Sequence, residues 1–377
     1  MEPWESTVSL VHAVPRKLRA AVVGTGSRGA GLAKAFQASP DWELVAVCDA
    51  DPLRAARLSR KLDDVPSFAA IDELLDCVEL DAVAIATSHR ALYGTVMTAL
   101  RAGKHVLVEE LLADSLERGR EMAAEAESEG VVLLAKSAAS FDPAVQRMQK
   151  VVDSEALGEI LFIEARRTET GLAQADRDVF WDLSPDSLAV LDHVLPDGLN
   201  PRGVSAFGGD PLGTGRDCVG HVYFRLPNDA PVHLHINRLS HVKSHRLVIA
   251  GTRLTLAWDA LVVQERLRLL NPGLLGGQPR TAPYWAEPIL LQQQDDEVPV
   301  SVLDAENRAR LATELAHCIR GQRKAGSPNA PALRVLSVLE AATRSRALDG
   351  QASAAVAPPP DGQEPAGTGH KSTLWST

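Results

Sequence analysis

The stretch that most restricts what this chain can fold into is residues 18–51, LRAAVVGTGSRGAGLAKAFQASPDWELVAVCDAD, which reads in order as strand, glycine turn, helix, strand and acid. The apolar run 18–23 suits a strand buried on both faces. Gly24, Gly26 and Gly29 follow at GxGxxG spacing, where strand must give way to helix. Each glycine answers a different steric demand: Gly24 permits the tight turn, Gly26 lets backbone amides approach a pyrophosphate, and Gly29 lets the helix pack closely on the strand. Thr25, Ser27 and Arg28 lie between them and share the cofactor-binding role, because the start of the helix offers N–H groups and the positive end of its dipole to phosphate. The second apolar run, 44–48, ends in Asp49, about 20 residues past the glycines, where a carboxylate binds ribose hydroxyls. The same charge repels a 2′-phosphate, so NAD is favoured over NADP.

With 377 residues the chain can hold two cores, and 45% hydrophobic against 23% charged residues is the balance of a globular protein. A net charge of -10 argues against a nucleic-acid groove or an anionic membrane surface as partner. Cys48, Cys77, Cys218 and Cys318 are scattered without metal spacing and read as buried thiols in a reducing compartment. No apolar run approaches the ~18 residues of a membrane span, and Glu2 and Glu5 replace the basic start of a signal peptide. The expected setting is the cytoplasm and the expected partner a small molecule.

Residues 1–17 form an arm without periodicity. Strand-like runs at 81–87, 104–108 and 131–134 then alternate with helical patterns at 54–62, 71–77, 91–101 and 115–129. That alternation predicts an α/β Rossmann domain with a doubly wound parallel sheet over 18–140. From 141 the rhythm changes. A helix at 143–152, a strand at 160–166 and a helix opened by Ser184-Pro185 precede six strand-like runs between 203 and 269. Consecutive strands without helices between them predict an α+β domain over 141–348 with a large, mostly antiparallel sheet, closed by helices at 302–320 and 332–348. Residues 349–377, rich in Gly, Ala, Pro and Ser, read as a disordered tail.

The stretches VVGTGSRG, VAVCDADP, DAVAIAT, AGKHVLVEELLA, FDPAVQRM, LGEI, HCIRG and VLEAATRS together resemble the Gfo/Idh/MocA family (glucose-fructose oxidoreductase, inositol dehydrogenase, rhizopine catabolism) across 18–348. FWDLSPDSLAVLDHVL and GRDCVGHVYFRLPNDAPVHLHINRL are most similar to its nucleotide-sugar branch. The resemblance implies an NAD(P)-dependent oxidoreductase of sugars or nucleotide-sugars, with homo-oligomers formed through the C-terminal sheet. It also implies cofactor contacts from Thr87 and Ser88 after the DAVAIAT strand and from Glu109. The chemical motifs depart from the family pattern. Its EKP is here Glu109-Glu110-Leu111, so the lysine that would hydrogen-bond the reacting hydroxyl is Glu110. Its WDLAPHD is here residues 181–187, WDLSPDS, with Asp186 in place of the catalytic histidine and Ser187 after it. The ATPxxxH loop carries Ser88 for proline and Leu92 for histidine, and Ser137 and Ser140 stand where His and Arg are common.

Oxidation of a secondary alcohol needs a proton to leave as hydride departs, and an ammonium stabilises the alkoxide where an ionised Glu110 would not. Burial beside Glu109 would raise one carboxyl and make Glu110 a general acid or base of another kind; otherwise Glu110 is a solvated loop acid. Asp186 is either part of the proton transfer or an acid favoured near a helix start by the dipole. His193, seven residues on, shares its helix face and reads first as a packing histidine. Lys136 either brings a cation to the cleft or is a surface lysine. His221, His233, His235, His241 and His245 fall among the strands and, lacking acidic or cysteine partners at metal spacing, read as substrate-face or structural residues with no metal. Alternatives to the oxidoreductase are a redox-inactive, cyclase- or isomerase-like protein on the same scaffold, or an NAD-dependent glycosidase.

Overall fold

The computed structural model describes residues 16–109, 111–171, 177–262, 266–270, 300–322 and 329–355. Its first sheet holds β1 (Leu18–Val23), β2 (Trp42–Cys48), β3 (Ser67–Phe68), β4 (Ala82–Ile85), β5 (His105–Glu109) and β6 (Leu133–Lys136). All pair in parallel, in the order β3-β2-β1-β4-β5-β6. Helices α1 (Ser27–Ala38), α2 (Pro52–Ser59), α3 (Ile71–Cys77), α4 (His89–Arg101) and α5 (Leu116–Ser128) make the crossovers. The chain winds outward from β1 to β3, then returns to lay β4 on the other side of β1. That reversal leaves a crevice at the carboxyl ends of β1 and β4, where doubly wound sheets bind ligands. The expected Rossmann domain is therefore present, with β3 as a two-residue strand too short to leave a pattern in the sequence.

The second domain opens with a 3₁₀ turn (Ala138–Phe141) and α6 (Pro143–Asp153). Strands β7 (Ile160–Thr170), β8 (Val204–Gly209), β9 (Val219–Arg225), β10 (Pro231–Asn237), β11 (Leu239–Gly251), β12 (Thr255–Asp259) and β13 (Leu267–Leu270) form one sheet in the order β13-β12-β11-β7-β10-β9-β8. Only the β7/β10 pair is parallel among these pairings, so the sheet is mostly antiparallel as expected. Strict alternation buries Val232, Leu234 and Ile236 on one face of β10 and leaves His233 and His235 on the other.

Helix α7 (Val179–Val194) lies on the buried face of this sheet. It starts earlier than Ser184-Pro185 suggests. Asp178 is its cap, accepting from the Phe180 and Trp181 amides at 3.0 and 3.2 Å. Pro185 sits inside the helix, where it has no N–H for the carbonyl four residues back. That carbonyl belongs to Trp181, and Arg177 donates to it from Nη1 at 3.3 Å. Asp186 is therefore mid-helix, which removes the helix dipole as a reason for an acid there.

The last two helices go to different places. α8 (Val300–Ile319) returns to the first domain, where Leu311 and Leu315 join Leu32, Phe36 and Trp42 in one cluster. The Trp42 indole N–H donates to the Ala312 carbonyl at 2.8 Å. Phe36 and Trp42 are 0% and 1% exposed and stack edge to face; burying each ring contributes roughly 2–3 kcal/mol. α9 (Ala330–Ala347) instead packs on β8 and α7. Beyond it, within the expected tail, Ser353 pairs antiparallel with Val204 and is held by Arg344. The remainder of that tail (356–377), most of the expected arm (1–15) and Glu110 lie outside the described residues. Among the described residues, no helix is long and apolar enough to cross a membrane.

Candidate active site

The glycine turn shows three steric situations. Gly24 has φ +93°, and a Cβ there would overlap the Ala86 carbonyl at the end of β4. A Cβ on Gly29 would overlap the Gly24 carbonyl. A Cβ on Gly26 would meet nothing within 4 Å, so this glycine faces open space in front of α1. No side chain caps α1 at Gly26, which leaves the first-turn amides around Ser27 and Arg28 for an anion.

Asp49, at the end of β2, reaches back to this turn. Its Oδ2 accepts from the Thr25 amide at 2.7 Å and the Thr25 hydroxyl at 2.8 Å, and its Oδ1 accepts from the Asp51 amide at 2.9 Å. Burial pulls its pKa upward, but these hydrogen bonds and the charge of Arg54 outweigh it, so Asp49 titrates below the usual carboxylate range and is ionised at neutral pH. At the facing edge, Thr87 Oγ1 is buried without a hydrogen-bond partner among the described residues, and Ser88 starts α4 without bonding its amides through the side chain. An open cradle at Gly26, an ionised carboxylate beyond it and an unsatisfied hydroxyl opposite fit a dinucleotide with a free 2′-hydroxyl.

Past the turn, a cleft of about 360 Å³ separates the first sheet from the second, and its lining includes Arg28, Glu109, Arg167, Asp186 and His245. Glu109 ends β5 with a nearly fully buried side chain, and Arg308 of α8 donates to both its oxygens at 3.0 Å. Asp186 faces Arg167 of β7 at 3.7 Å, while Arg167 also pairs with Glu169 at 2.6 Å. His245 packs edge to face on Trp258 and is 8% exposed; burial, reinforced by the Arg167 charge, lowers its pKa to about 4, so it is neutral. Arg177, which bonds the Trp181 carbonyl that Pro185 leaves open, keeps Nη2 buried without a partner among the described residues. Its burial, with the nearby Arg28 charge, lowers its pKa to about 9.

A second cavity of about 350 Å³ continues behind the cleft, with Ser137 and Asp186 lining both. Lys136, Asp186 and His193 line it together. His193 Nε2 is buried without a hydrogen-bond partner among the described residues, and burial followed by the Lys136 charge holds its pKa below the ordinary histidine value. Lys136 Nζ lies 4.6 Å from the centre of the Phe141 ring.

The structure thus brings the glycine-turn residues and Asp49 to one end of the crevice and Glu109 and Asp186 to the other. The histidines divide. His245 is in the cleft, whereas His221 and His233, 3.1 Å apart between ring nitrogens, sit with His235 on the opposite face of the sheet. Arg167 and Arg177 do not stand out in the sequence as site residues, and His245 reads there with the other strand histidines as a substrate-face or structural residue. Strand alternation from Ile163 and Ala165 puts Arg167 on the α7 face, which is the signal that would have found it.

Residues 18–137 match the family described as "Oxidoreductase family, NAD-binding Rossmann fold". Among curated relatives, the trans-1,2-dihydrobenzene-1,2-diol dehydrogenase of Sus scrofa is 29% identical over 200 residues, covering 51% of this chain and 59% of that protein. The chain therefore spans less than two thirds of that relative. The 2,7-anhydro-N-acetylneuraminate hydratase of Escherichia coli (strain K12) is 24% identical over 264 residues, 66% of this chain and 69% of that protein. The crystal structure of the WlbA dehydrogenase from Bordetella pertussis, in complex with NADH and UDP-GlcNAcA, superposes with a TM-score of 0.73 at 18% identity, over 90% of this chain and 99% of that one. That likeness is one of fold.

Proposed function

We propose, from the premise that the chain belongs to the Gfo/Idh/MocA oxidoreductase family through its NAD-binding domain, that it is an NAD-dependent dehydrogenase acting on a secondary hydroxyl, or the corresponding ketone, of a sugar or nucleotide-sugar. The observation that carries this assignment is that Arg28 of the glycine turn, Glu109 of β5 and Asp186 of α7 line a single cleft. When bound, the nicotinamide accepts or returns a hydride. The chain's own residues do the remainder. Amides of the Gly24–Gly29 turn hold the pyrophosphate, Asp49 the ribose hydroxyls, and Thr87, Ser88 and Glu109 the reactive end, with Arg308 fixing the Glu109 carboxylate. Asp186 exchanges the hydroxyl proton in a rebuilt relay, and Glu110 is the other carboxylate assigned to it.

The lining of the cleft supports an anionic substrate, because Arg28, Arg167, Lys243, Arg266 and Arg308 stand there against Glu109, Asp142, Glu169 and Asp186. Beside the cleft, Arg177, close enough to feel the charge of Arg28, keeps Nη2 buried without a partner among the described residues. A phosphate or carboxylate would satisfy it. The UDP-GlcNAcA in the WlbA complex is a compound of that kind. Purified protein given NAD and a panel of sugars and nucleotide-sugars is expected to accumulate reduced nicotinamide with at least one of them. Silence across the panel despite NAD binding would overturn the dehydrogenase assignment.

A second reading has one observation in its favour: a relative covering 66% of this chain is a hydratase, whose net reaction is not a redox one. On the same scaffold, NAD would then be recycled within each turnover. Product formed without accumulation of NADH would select this reading. We further assign the protein to the cytoplasm and to a homo-oligomer through the open face of its second sheet, where Phe162 and Phe207 are 43% and 57% exposed. Sedimentation in solution tests the assembly.

A further inference from the structure

The altered relay leaves a question of charge: an alkoxide developing where the cleft meets the cavity behind it, at Ser137 and Asp186, needs a cation there, and the residue after Glu109 is an acid. The neighbouring strand supplies one. β6 runs parallel to β5 with Lys136 in register with Glu109, so Lys136 stands at the carboxyl edge of the sheet one strand away. In sheets of this winding the reactive end of the ligand lies at that edge. The lysine is the last residue of its strand, lies over the Phe141 ring, 4.6 Å from its centre, and lines a cavity with Pro185 and Asp186 of α7.

Helix geometry places a proton route beside it. Asp186 and His193 are seven residues apart in α7, two turns and therefore one face. Both line the 350 Å³ cavity with Lys136, and Asp186 and Ser137 also line the cleft in front. His193 presents a buried Nε2 that no neighbour among the described residues satisfies. A neutral imidazole in that position has a lone pair or an N–H to offer, according to its tautomer. Burial and the nearby Lys136 keep it neutral at pH 7, as a proton acceptor must be.

We propose that Lys136 supplies the ammonium that stabilises the substrate alkoxide, and that the hydroxyl proton leaves past Asp186 to His193 in the cavity behind the cleft. This rests on the dehydrogenase reading above. In the oxidative direction, the substrate C–H bond breaks with its electron pair going to the oxidised nicotinamide. The O–H bond breaks, the carbonyl forms, and the proton is taken up on the His193 imidazole before release to solvent. Alcohol and oxidised dinucleotide thus give ketone, reduced dinucleotide and one proton. Lys136 would touch the reacting oxygen, whereas His193 acts through Asp186 or water as a relay residue.

The test compares wild type with Lys136→Met, Lys136→Arg and His193→Gln in the full chain, using the substrate found in the panel. Lys136→Met is expected to lower kcat by about 100-fold, the lower range for a lost acid–base or charge partner. NADH affinity by fluorescence titration should stay within about twofold. Lys136→Arg should recover part of the loss, since the charge is kept. His193→Gln should remove the acidic limb of the kcat–pH profile. A readout independent of turnover is the NMR titration of His193 in the NADH complex, whose pKa should rise in Lys136→Met once the neighbouring positive charge is gone. Near wild-type kcat and an unmoved His193 titration in folded Lys136→Met would overturn the relay while leaving the dehydrogenase intact. Wild type that forms no NADH with any panel member would instead remove the dehydrogenase reading and the relay with it.

Discussion

Arg308 donates to both oxygens of Glu109 at 3.0 Å, so a helix from the far end of the chain clamps the last residue of β5. The side chain of Glu109 is 4% exposed, and truncating its partner would strand a buried carboxylate. Arg308→Met is expected to destabilise the protein by about 3 kcal/mol. Urea unfolding measures this directly. Glu109→Gln with Arg308→Met should recover part of the loss, because a neutral amide costs less to bury than a charge.

Gly26 and Gly29 separate binding from folding. A Cβ at position 29 overlaps the Gly24 carbonyl, so Gly29→Ala should displace α1 from the turn and lower the melting temperature by several degrees. At position 26 a Cβ meets nothing, and Gly26→Ala should leave the melting temperature within about one degree. The added methyl would nevertheless stand where the pyrophosphate approaches, and NADH affinity should fall by about tenfold or more. Paired melting and fluorescence titrations of the two variants read out the contrast; equal loss of stability in both would contradict it.

Asp49 decides between the two dinucleotides. It is ionised at neutral pH and bound to the Thr25 turn, so a 2′-phosphate meets a fixed negative charge. On the α2 side of that turn stand Arg54, Arg57 and Lys61, which line a hollow with Thr25 and Ser27. Asp49→Ser is therefore expected to weaken NADH by about tenfold and to strengthen NADPH, narrowing the preference from both sides. Competitive titration with the two reduced dinucleotides measures the ratio. No gain for NADPH would mean that the three basic side chains do not reach the 2′-position.

The cradle was legible because backbone geometry there admits few residue types. Gly24 at φ +93°, Gly29 against a carbonyl and Asp49 against an amide each leave a signature at a fixed spacing. The start of α7 was not legible. Ser184-Pro185 has the form of a cap followed by proline, and only the folded chain reveals that Asp178 caps the helix and that Arg177 satisfies the carbonyl Pro185 leaves open. The convergence of Lys136 with Asp186 and His193 joins residues some 50 positions apart through the packing of β6 near α7, which no local pattern encodes. α8 was legible as a helix but not in its destination, because an amphipathic face does not say which surface covers it.

His245 makes stability depend on pH. Burial, then the charge of Arg167, lowers its pKa to about 4; Asp186 and Asp259 pull the other way and Arg266 adds to the lowering. An unfolded histidine binds its proton near ~6.5. Between that value and about 4 the unfolded chain takes up a proton that the native chain refuses. Stability is thus complete above the unfolded value and is lost as pH falls through this window. At ~1.4 kcal/mol per unit, the contribution lost between pH ~7 and ~5 is about 2 kcal/mol. His245→Leu removes the titrating group while keeping an apolar side chain against Trp258. Its unfolding free energy should therefore fall by about 2 kcal/mol less than that of wild type over the same interval, as urea titrations at the two pH values would measure. Parallel losses in the two proteins would show that His245 is not the group being protonated.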